Sequence, residues 1–235
     1  ERGKLDSRFR GNDLNRYPNF SLRLDDLKRQ WGIPMNLIDK TTGGWDAICK
    51  NFQWRIPDYF NIAEVVCDRH ANDPNKVAMF YEDESGHQEV YTFRQNQQKA
   101  NKLANVLKGL GIKSGERVGI VLPQRPETAI SHLAIYKIGA IAIPLANLFG
   151  GDALKYRLSN SSAKVVITDT ENIHKIREIR NELPSLDHVF VVGGKPEKNE
   201  MEFDRALENA SSICETLKTK AEDPVVIIYT SGTTG

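Results

Sequence analysis

The chain has 235 residues, 40% of them hydrophobic, which is enough for one large domain or two small ones around a sizeable core. Its 32 Lys and Arg against 31 Asp and Glu leave a formal net charge of +1, so no global field draws in nucleic acid or an anionic membrane surface. The cysteines, Cys49, Cys67 and Cys214, form neither a disulfide framework nor a CxxC pair, no apolar run approaches the roughly 20 residues of a membrane span, and no signal-peptide core opens the chain; a reducing cytoplasm is the compartment these features predict.

Residues 1–30 mix both charges densely with few aliphatics and read as a disordered or foreign extension. Within them, "DSRFRGND" resembles peptides translated from dispersed bacterial intergenic repeats. Residues 31–58 carry Trp31, Trp45, Phe52 and Trp54 and read as a segment docking on the main domain, which takes up residues 59–235. That domain opens with Ile62, Val65, Val66 and Ala71 at helical spacing before Pro74. "KVAMFYED" and "QEVYTF", separated by "ESGH", predict a β-hairpin. Thr92 and Gln95 have the spacing of a capping box, and Ala100, Leu103, Ala104, Leu107 and Leu110 continue a helix that Gly111 stops.

The next hundred residues alternate. "RVGIVL" reads as a buried strand, and Pro126 starts a helix through Ile130, Leu133, Ala134 and Ile138. "AIAIP" is a strand ended by Pro144, and Asp152 is expected to cap the helix through Leu154 and Leu158, with Gly150 and Gly151 permitting a sharp turn into it. "KVVITD" precedes a helix from about Asn172 to Leu183, "HVFVVGG" precedes one near Phe203 to Ala210, and "PVVIIYT" closes the series as a strand. Near-continuous apolar strands separated by helices predict an α/β fold: a mainly parallel sheet with crossover helices covering both faces.

Ligands of such sheets collect at the carboxyl ends of the strands, where "TSGTTG" lies. Thr230, Ser231, Thr233 and Thr234 supply hydroxyl donors, while Gly232 and Gly235 let backbone N–H groups approach an anion, a combination suited to a polyphosphate. The chain has neither GxxxxGK[ST] nor a GxGxxG in a strand-to-helix context. His70, His87, His132, His174 and His188 are scattered without metal-ligand spacing and read as packing or surface residues, and none of the thiols is read as a nucleophile. Arg125 follows a strand end and either faces the cleft or starts a helix in solvent.

"YTSGTTG" resembles the phosphate-loop signature of the adenylate-forming enzymes, and "LPQRPETAISHLAIYKIGAIAIPL" and "LFGGDALKYRLSNSSAKVVITD" resemble the acetyl- and medium-chain acyl-CoA synthetases within that superfamily. The resemblance runs from about Phe60 to Gly235. It implies two-step chemistry in which a carboxylate and ATP give an acyl-adenylate and pyrophosphate, and CoA then displaces AMP. ATP, Mg²⁺ and CoA are the implied cofactors, and a small-molecule carboxylate is the implied substrate. Thr230, Ser231, Gly232, Thr233, Thr234 and Gly235 would wrap the β- and γ-phosphates. Lys175 and Arg177 fall where related synthetases direct basic residues toward the CoA 3′-phosphate, although solvated helix charges explain them as well.

The family signature continues past Gly235 with a Pro-, Lys- and Gly-containing segment, and its adenine, ribose and catalytic-lysine motifs lie further on. No catalytic residue is therefore expected within this chain, which the resemblance makes an N-terminal part of an acyl-CoA synthetase, inactive by itself. Two alternatives stand beside it: a non-enzymatic remnant or binding module, and an adenylation domain that passes its acyl group to a carrier protein.

Overall fold

The computed structural model describes residues 44–52 and 56–230, which divide into two units at Ile56 and Pro57. In the first unit a short helix, α1 (Trp45–Asn51), starts after Gly44, and Trp45 is exposed. The extension expected over residues 1–30 and most of the segment expected to dock lie outside the described residues.

The second unit begins with α2 (Ile62–Val66), capped by the Asn61 side chain, and a 3₁₀ turn at Asp68–His70. Strands β1 (Val77–Glu82) and β2 (Gln88–Thr92) form the expected antiparallel hairpin, turned by Gly86 at φ +83°. Helix α3 (Phe93–Gly109) opens on the expected capping box: Gln95 N–H donates to Thr92 Oγ1, and Thr92 N–H donates to Gln95 Oε1 at 2.8 Å.

Strands β3 (Arg117–Val121), β4 (Ile141–Pro144), β5 (Val165–Asp169), β6 (His188–Val192) and β7 (Glu200–Glu202) form one parallel sheet in the order β4-β3-β5-β6-β7. They are joined through α4 (Pro126–Lys137), α5 (Gly151–Asn160) and α6 (Ile173–Ile179), with α7 (Phe203–Glu208) after β7. Alternate strand residues feed two cores. Val118, Ile120, Ala142, Ile167 and Phe190 pack with α3, α4 and α7, whereas Val121, Ile143, Val166, Val189 and Val191 pack with α5 and α6. Both faces are covered, which is why these strands are apolar at nearly every position.

Three local expectations change. Gly150, at φ −75°, is the N-cap of α5 without a side-chain cap, and Asp152 sits inside the first turn, where its charge meets the positive end of the helix dipole. That φ suits any residue, so the turn into α5 needs no glycine there. Strand β7 carries no apolar pattern, only Glu-Met-Glu, and is held by parallel pairing to β6. The segment expected as a final strand makes one parallel bridge, Val226 beside Ala142: Ala142 N–H donates to Val225 O at 3.0 Å and Ile227 N–H to Ala142 O at 2.9 Å. Val225, Ile227 and Tyr229 are half-buried, while Val226, Ile228 and Thr230 face solvent.

A strap over residues 211–223 brings the chain back to that edge. Asn105 Nδ2 donates to the carbonyls of Ser211 and Ile213, and Asn101 Nδ2 to that of Ser212. Leu217 N–H donates to Lys137 O, and Phe60 N–H to Thr219 O. The strap thus crosses α3 and the end of α4 before Val225 meets β4.

Candidate functional site

All five strands point the same way, so their carboxyl ends share one edge of the sheet. From β3 the chain moves outward to β4, then returns past β3 to β5. The carboxyl edge between β3 and β5 is therefore the topological switch point, the usual ligand crevice of open α/β sheets.

Short side-chain bonds fix this edge. Thr168 Oγ1 donates to Val121 O at 3.1 Å, tying the ends of β5 and β3, and Thr128 Oγ1 donates to Pro123 O at 2.7 Å, folding the β3–α4 loop onto its helix. Asp169, buried at the end of β5, accepts from both the backbone N–H and the side-chain amide of Asn172. Pro126 occupies the first turn of α4, where its missing N–H costs no helical bond. Arg125, just before it, pairs with Glu127 at 2.6 Å and lines a cleft of about 910 Å³. Residues after β3 and β4 form one wall of that cleft, and Met79, Phe80, Tyr81 and Glu82 of the hairpin form another.

His132 also lines this cleft, with Nδ1 3.0 Å from the Tyr136 hydroxyl and its pKa lowered by burial. The sequence shows it only as one more residue on an amphipathic helix. Its place at the cleft depends on how α4 rotates over β3, which no spacing reports. Cys67 is the opposite case. It is buried beside the Phe93 carbonyl, and desolvation pushes its thiol up to about 12, as expected of a structural cysteine.

Thr230, exposed, follows the half-buried Tyr229 at the end of the segment that bridges β4 in parallel, toward the carboxyl edge of the sheet. Ser231, Gly232, Thr233, Thr234 and Gly235 lie outside the described residues. The lead-in to them is well anchored. The Tyr229 phenol oxygen is 2.7 Å from Asn160 Oδ1 and 3.1 Å from the Arg157 carbonyl oxygen, and the Arg157 guanidinium lies over the rings of Phe149, at 4.2 Å, and Tyr229, at 5.6 Å. None of these partners was singled out by sequence, where Tyr156, Arg157 and Asn160 show only helical spacing.

Lys175 and Arg177 are two residues apart on α6 and so do not share a face. Lys175 Nζ donates to Asn147 O at 2.7 Å and Asn172 Oδ1 at 2.8 Å, pinning the loop after β4 to the start of α6. Arg177 forks onto Glu200 at 2.9 and 2.8 Å and meets Glu197 at 2.9 Å. The Arg177 bond holds the Glu200 carboxyl below its usual range. Among the described residues no group of three or more His, Cys, Asp or Glu is placed to hold a metal, and no helix is long and apolar enough to cross a membrane.

A doubly wound parallel sheet with a cleft at its carboxyl edge, over β3 and β4, defines an open α/β architecture. Within that class the chain belongs to the AMP-binding enzyme family, whose model matches residues 67–235. It is 41% identical over 180 residues to acetyl-coenzyme A synthetase of Bacillus subtilis, covering 74% of this chain and 31% of the relative. It is 32% identical over 209 residues to the human mitochondrial acyl-coenzyme A synthetase ACSM5, covering 86% and 36%. Among solved structures, the anthranilate CoA ligase AuaEII in complex with anthranoyl-AMP matches with a TM-score of 0.71 and 32% identity over 77% of this chain and 34% of that one. An acyl-CoA synthetase of Brucella canis matches with a TM-score of 0.70 and 28% identity, covering 77% and 33%. The chain thus spans about a third of the length of the relatives it matches.

Proposed function

We propose that this chain supplies the phosphate-binding part of an acyl-CoA synthetase that activates acetate-like or medium-chain carboxylates in the cytoplasm. One observation carries the reading: Thr230 stands toward the carboxyl edge of a doubly wound sheet and opens the hydroxyl- and glycine-rich sequence "TSGTTG". A carboxylate oxygen attacks the α-phosphorus of ATP, the bond to pyrophosphate breaks, and negative charge accumulates on the departing group. Hydroxyls of Thr230, Ser231, Thr233 and Thr234, with N–H groups at Gly232 and Gly235, are the donors that meet it. Mg²⁺ arrives on the nucleotide, its ligands chiefly phosphate oxygens and water. In the second step the CoA sulfur attacks the acyl carbonyl and AMP leaves. The CoA-ligase names of the relatives favour CoA over a carrier protein as acceptor.

Lys175 and Arg177 remain the proposed contacts of the CoA 3′-phosphate. Arg177 already faces two carboxylates, so a phosphate reaching it displaces the more exposed one, Glu197. Charge reversal at either residue should raise the KM for CoA, and an unchanged KM removes the contact.

The catalytic groups are proposed to lie in the part of the relatives that this chain does not span. The test is carboxylate-dependent ATP–pyrophosphate exchange by this chain alone and by a chimera joining it to the remaining two-thirds of the Bacillus subtilis relative. No exchange is expected from the chain alone. The folded chimera should exchange, and Thr233→Ala with Thr234→Ala should reduce its rate by at least about tenfold. A folded chimera silent with acetate and medium-chain carboxylates overturns the proposal, and exchange by the chain alone overturns its dependence on the missing part.

A further inference from the structure

Side chains of α3 donate into the backbone where α7 ends and the strap begins. Asn101 bonds Ser212 O, Asn105 bonds the Ser211 and Ile213 carbonyls, and Lys102 bonds Glu208 O at 3.4 Å. Lys108, in the last turn of α3, does more. Its Nζ donates to Glu215 O at 3.2 Å and to Cys214 Sγ at 3.3 Å, and the Cys214 sulfur itself lies 3.6 Å from the same Glu215 oxygen. Nitrogen and sulfur are thus gathered at one carbonyl, although their residues are 106 positions apart.

The other two thiols lack this partner. Cys67 is buried against the Phe93 carbonyl and Cys49 is exposed on α1; among the described residues neither has a side-chain amine at hydrogen-bond distance. Cys214 is half-buried and lines a surface cleft of about 470 Å³ together with Arg94, Gln98, Asn101 and Ser212. Asn101, 6% exposed, directs its amide nitrogen to Ser212 O and keeps Oδ1 without a hydrogen-bond partner, an unused acceptor in the lining of that cleft. The cleft admits a molecule as small as hydrogen peroxide, and the sulfur forms part of its wall.

We propose that Cys214 and Lys108 are a redox-sensitive pair, which hydrogen peroxide converts into a sulfenamide crosslink stapling the strap to α3. The sulfur attacks one peroxide oxygen and the O–O bond breaks, so the thiol becomes a sulfenic acid and water is released; sulfur loses two electrons and the peroxide gains them. The Lys108 ammonium gives a proton to solvent, its neutral nitrogen attacks the sulfenic sulfur, the S–O bond breaks, and a second water departs. Contact before reaction favours this amine over any in solution, because the second step is then intramolecular. Excess thiol reverses the link: one thiol attacks the sulfur and frees the Lys108 amine, and a second frees Cys214 as a disulfide forms between the two. The staple sits two residues before Thr216, whose hydroxyl bonds Asp68 in the buried group around Lys137. Closing so long a loop removes entropy from the unfolded chain, so oxidation should stabilise the fold.

The experiment treats the full chain with hydrogen peroxide, quenches it, and digests it with trypsin in the absence of reductant. Wild type should yield residues 103–113 joined to residues 206–218. The joined species should be about 2 Da lighter than the sum of the two reduced peptides, and dithiothreitol should separate it. Lys108→Arg keeps a cation beside the sulfur but has no amine nucleophile. It should lower the yield of the joined peptide at least about tenfold, while dimedone still labels a sulfenic acid at Cys214. Cys214→Ser should abolish both products. The urea midpoint of wild type should rise after peroxide and return after dithiothreitol, and that of Lys108→Arg should not rise. The pairing is overturned by an undiminished joined peptide in Lys108→Arg, by a disulfide between Cys214 and Cys49 or a sulfinic acid at Cys214 in place of the link, or by no peroxide-dependent change at Cys214. A link that forms without moving the urea midpoint overturns its action as a staple.

Discussion

The amine of Lys137, 1% exposed at the end of α4, lies 2.5 Å from Asp68 Oδ2, and the Thr216 hydroxyl completes the group at 3.0 Å from the same oxygen. Gln97 donates to the other carboxylate oxygen. Four segments distant in sequence, the 3₁₀ turn, α3, α4 and the strap, are thereby joined through one buried ion pair. Removing one partner of such a pair leaves a charge without compensation, so Lys137→Met should destabilise the domain by about 2–4 kcal/mol, somewhat below the usual range because Asp68 retains hydrogen bonds. Urea unfolding measures it. Asp68→Asn combined with Lys137→Met should cost less than the sum of the single changes, and strict additivity would show that the two charges are not coupled.

Two helix ends predict opposite responses to glycine substitutions. After α4, Gly139 at φ +70° and Ala140 donate to the carbonyls of Tyr136 and Ile135, a Schellman closure. A Cβ at Gly139 would also come within 2.8 Å of Leu217 Cδ2 and Ser114 Oγ. Gly139→Ala should therefore cost about 2–3 kcal/mol, left-handed strain and overpacking together. After α5 the same closure is made by Ser162 at φ +51°. There Ser162→Gly should stabilise by about 0.5–1 kcal/mol. Thermal unfolding of the two variants should move in opposite directions.

Cys67, whose thiol burial pushes up to about 12, should resist alkylation at pH 8 in the native chain and react in urea, while the exposed Cys49 reacts in both. Mass spectrometry after iodoacetamide treatment distinguishes the two sites. Native labelling of Cys67 at the rate of Cys49 would contradict its burial.

His132 and His70 are both held below the usual histidine range, His132 by burial, His70 by burial first and then by Lys76 and Arg69. Lys76 Nζ lies 2.9 Å from His70 Nδ1, so a protonated ring would face a second cation. With folded pKa values below the unfolded value of 6.5, the unfolded chain binds more protons as pH falls. The stability associated with the neutral rings is complete above about pH 6.5 and is lost as pH drops through the folded values. His87, exposed beside Glu89, is raised and acts in the opposite sense. The urea midpoint should fall between pH 7.5 and 5.5, and His132→Asn should flatten that fall. An identical slope in the variant would remove His132 as a source.

Much of the fold was legible because its signals are local. The Thr92–Gln95 capping box, Gly111 at φ +85° and the apolar period of α3 are contained within some twenty residues, and the structure shows each of them. The strands were legible because burial on both faces leaves no room for polar alternation. Strand β7 was not, since three residues have no period to detect and what holds them, pairing to β6 and the Arg177–Glu200 ion pair, joins segments distant in sequence. The closing segment was read as a full strand on its apolar run, but the partner it finds on β4 extends to a single bridge.

The amino-acid sequence by itself determined the α/β class, most of the succession of elements and the family, because periodicity, caps and the "YTSGTTG" signature are properties of contiguous residues. Tertiary structure alone decided the strand order, the cleft lined by Arg125 and His132, the Lys137–Asp68–Thr216 group and the hold of Arg157 and Asn160 on Tyr229. Each of these joins residues far apart in the chain. Such contacts are selected by the packing of helices over the sheet and the return of the strap, and no local pattern in the chain records which partners that packing will bring together.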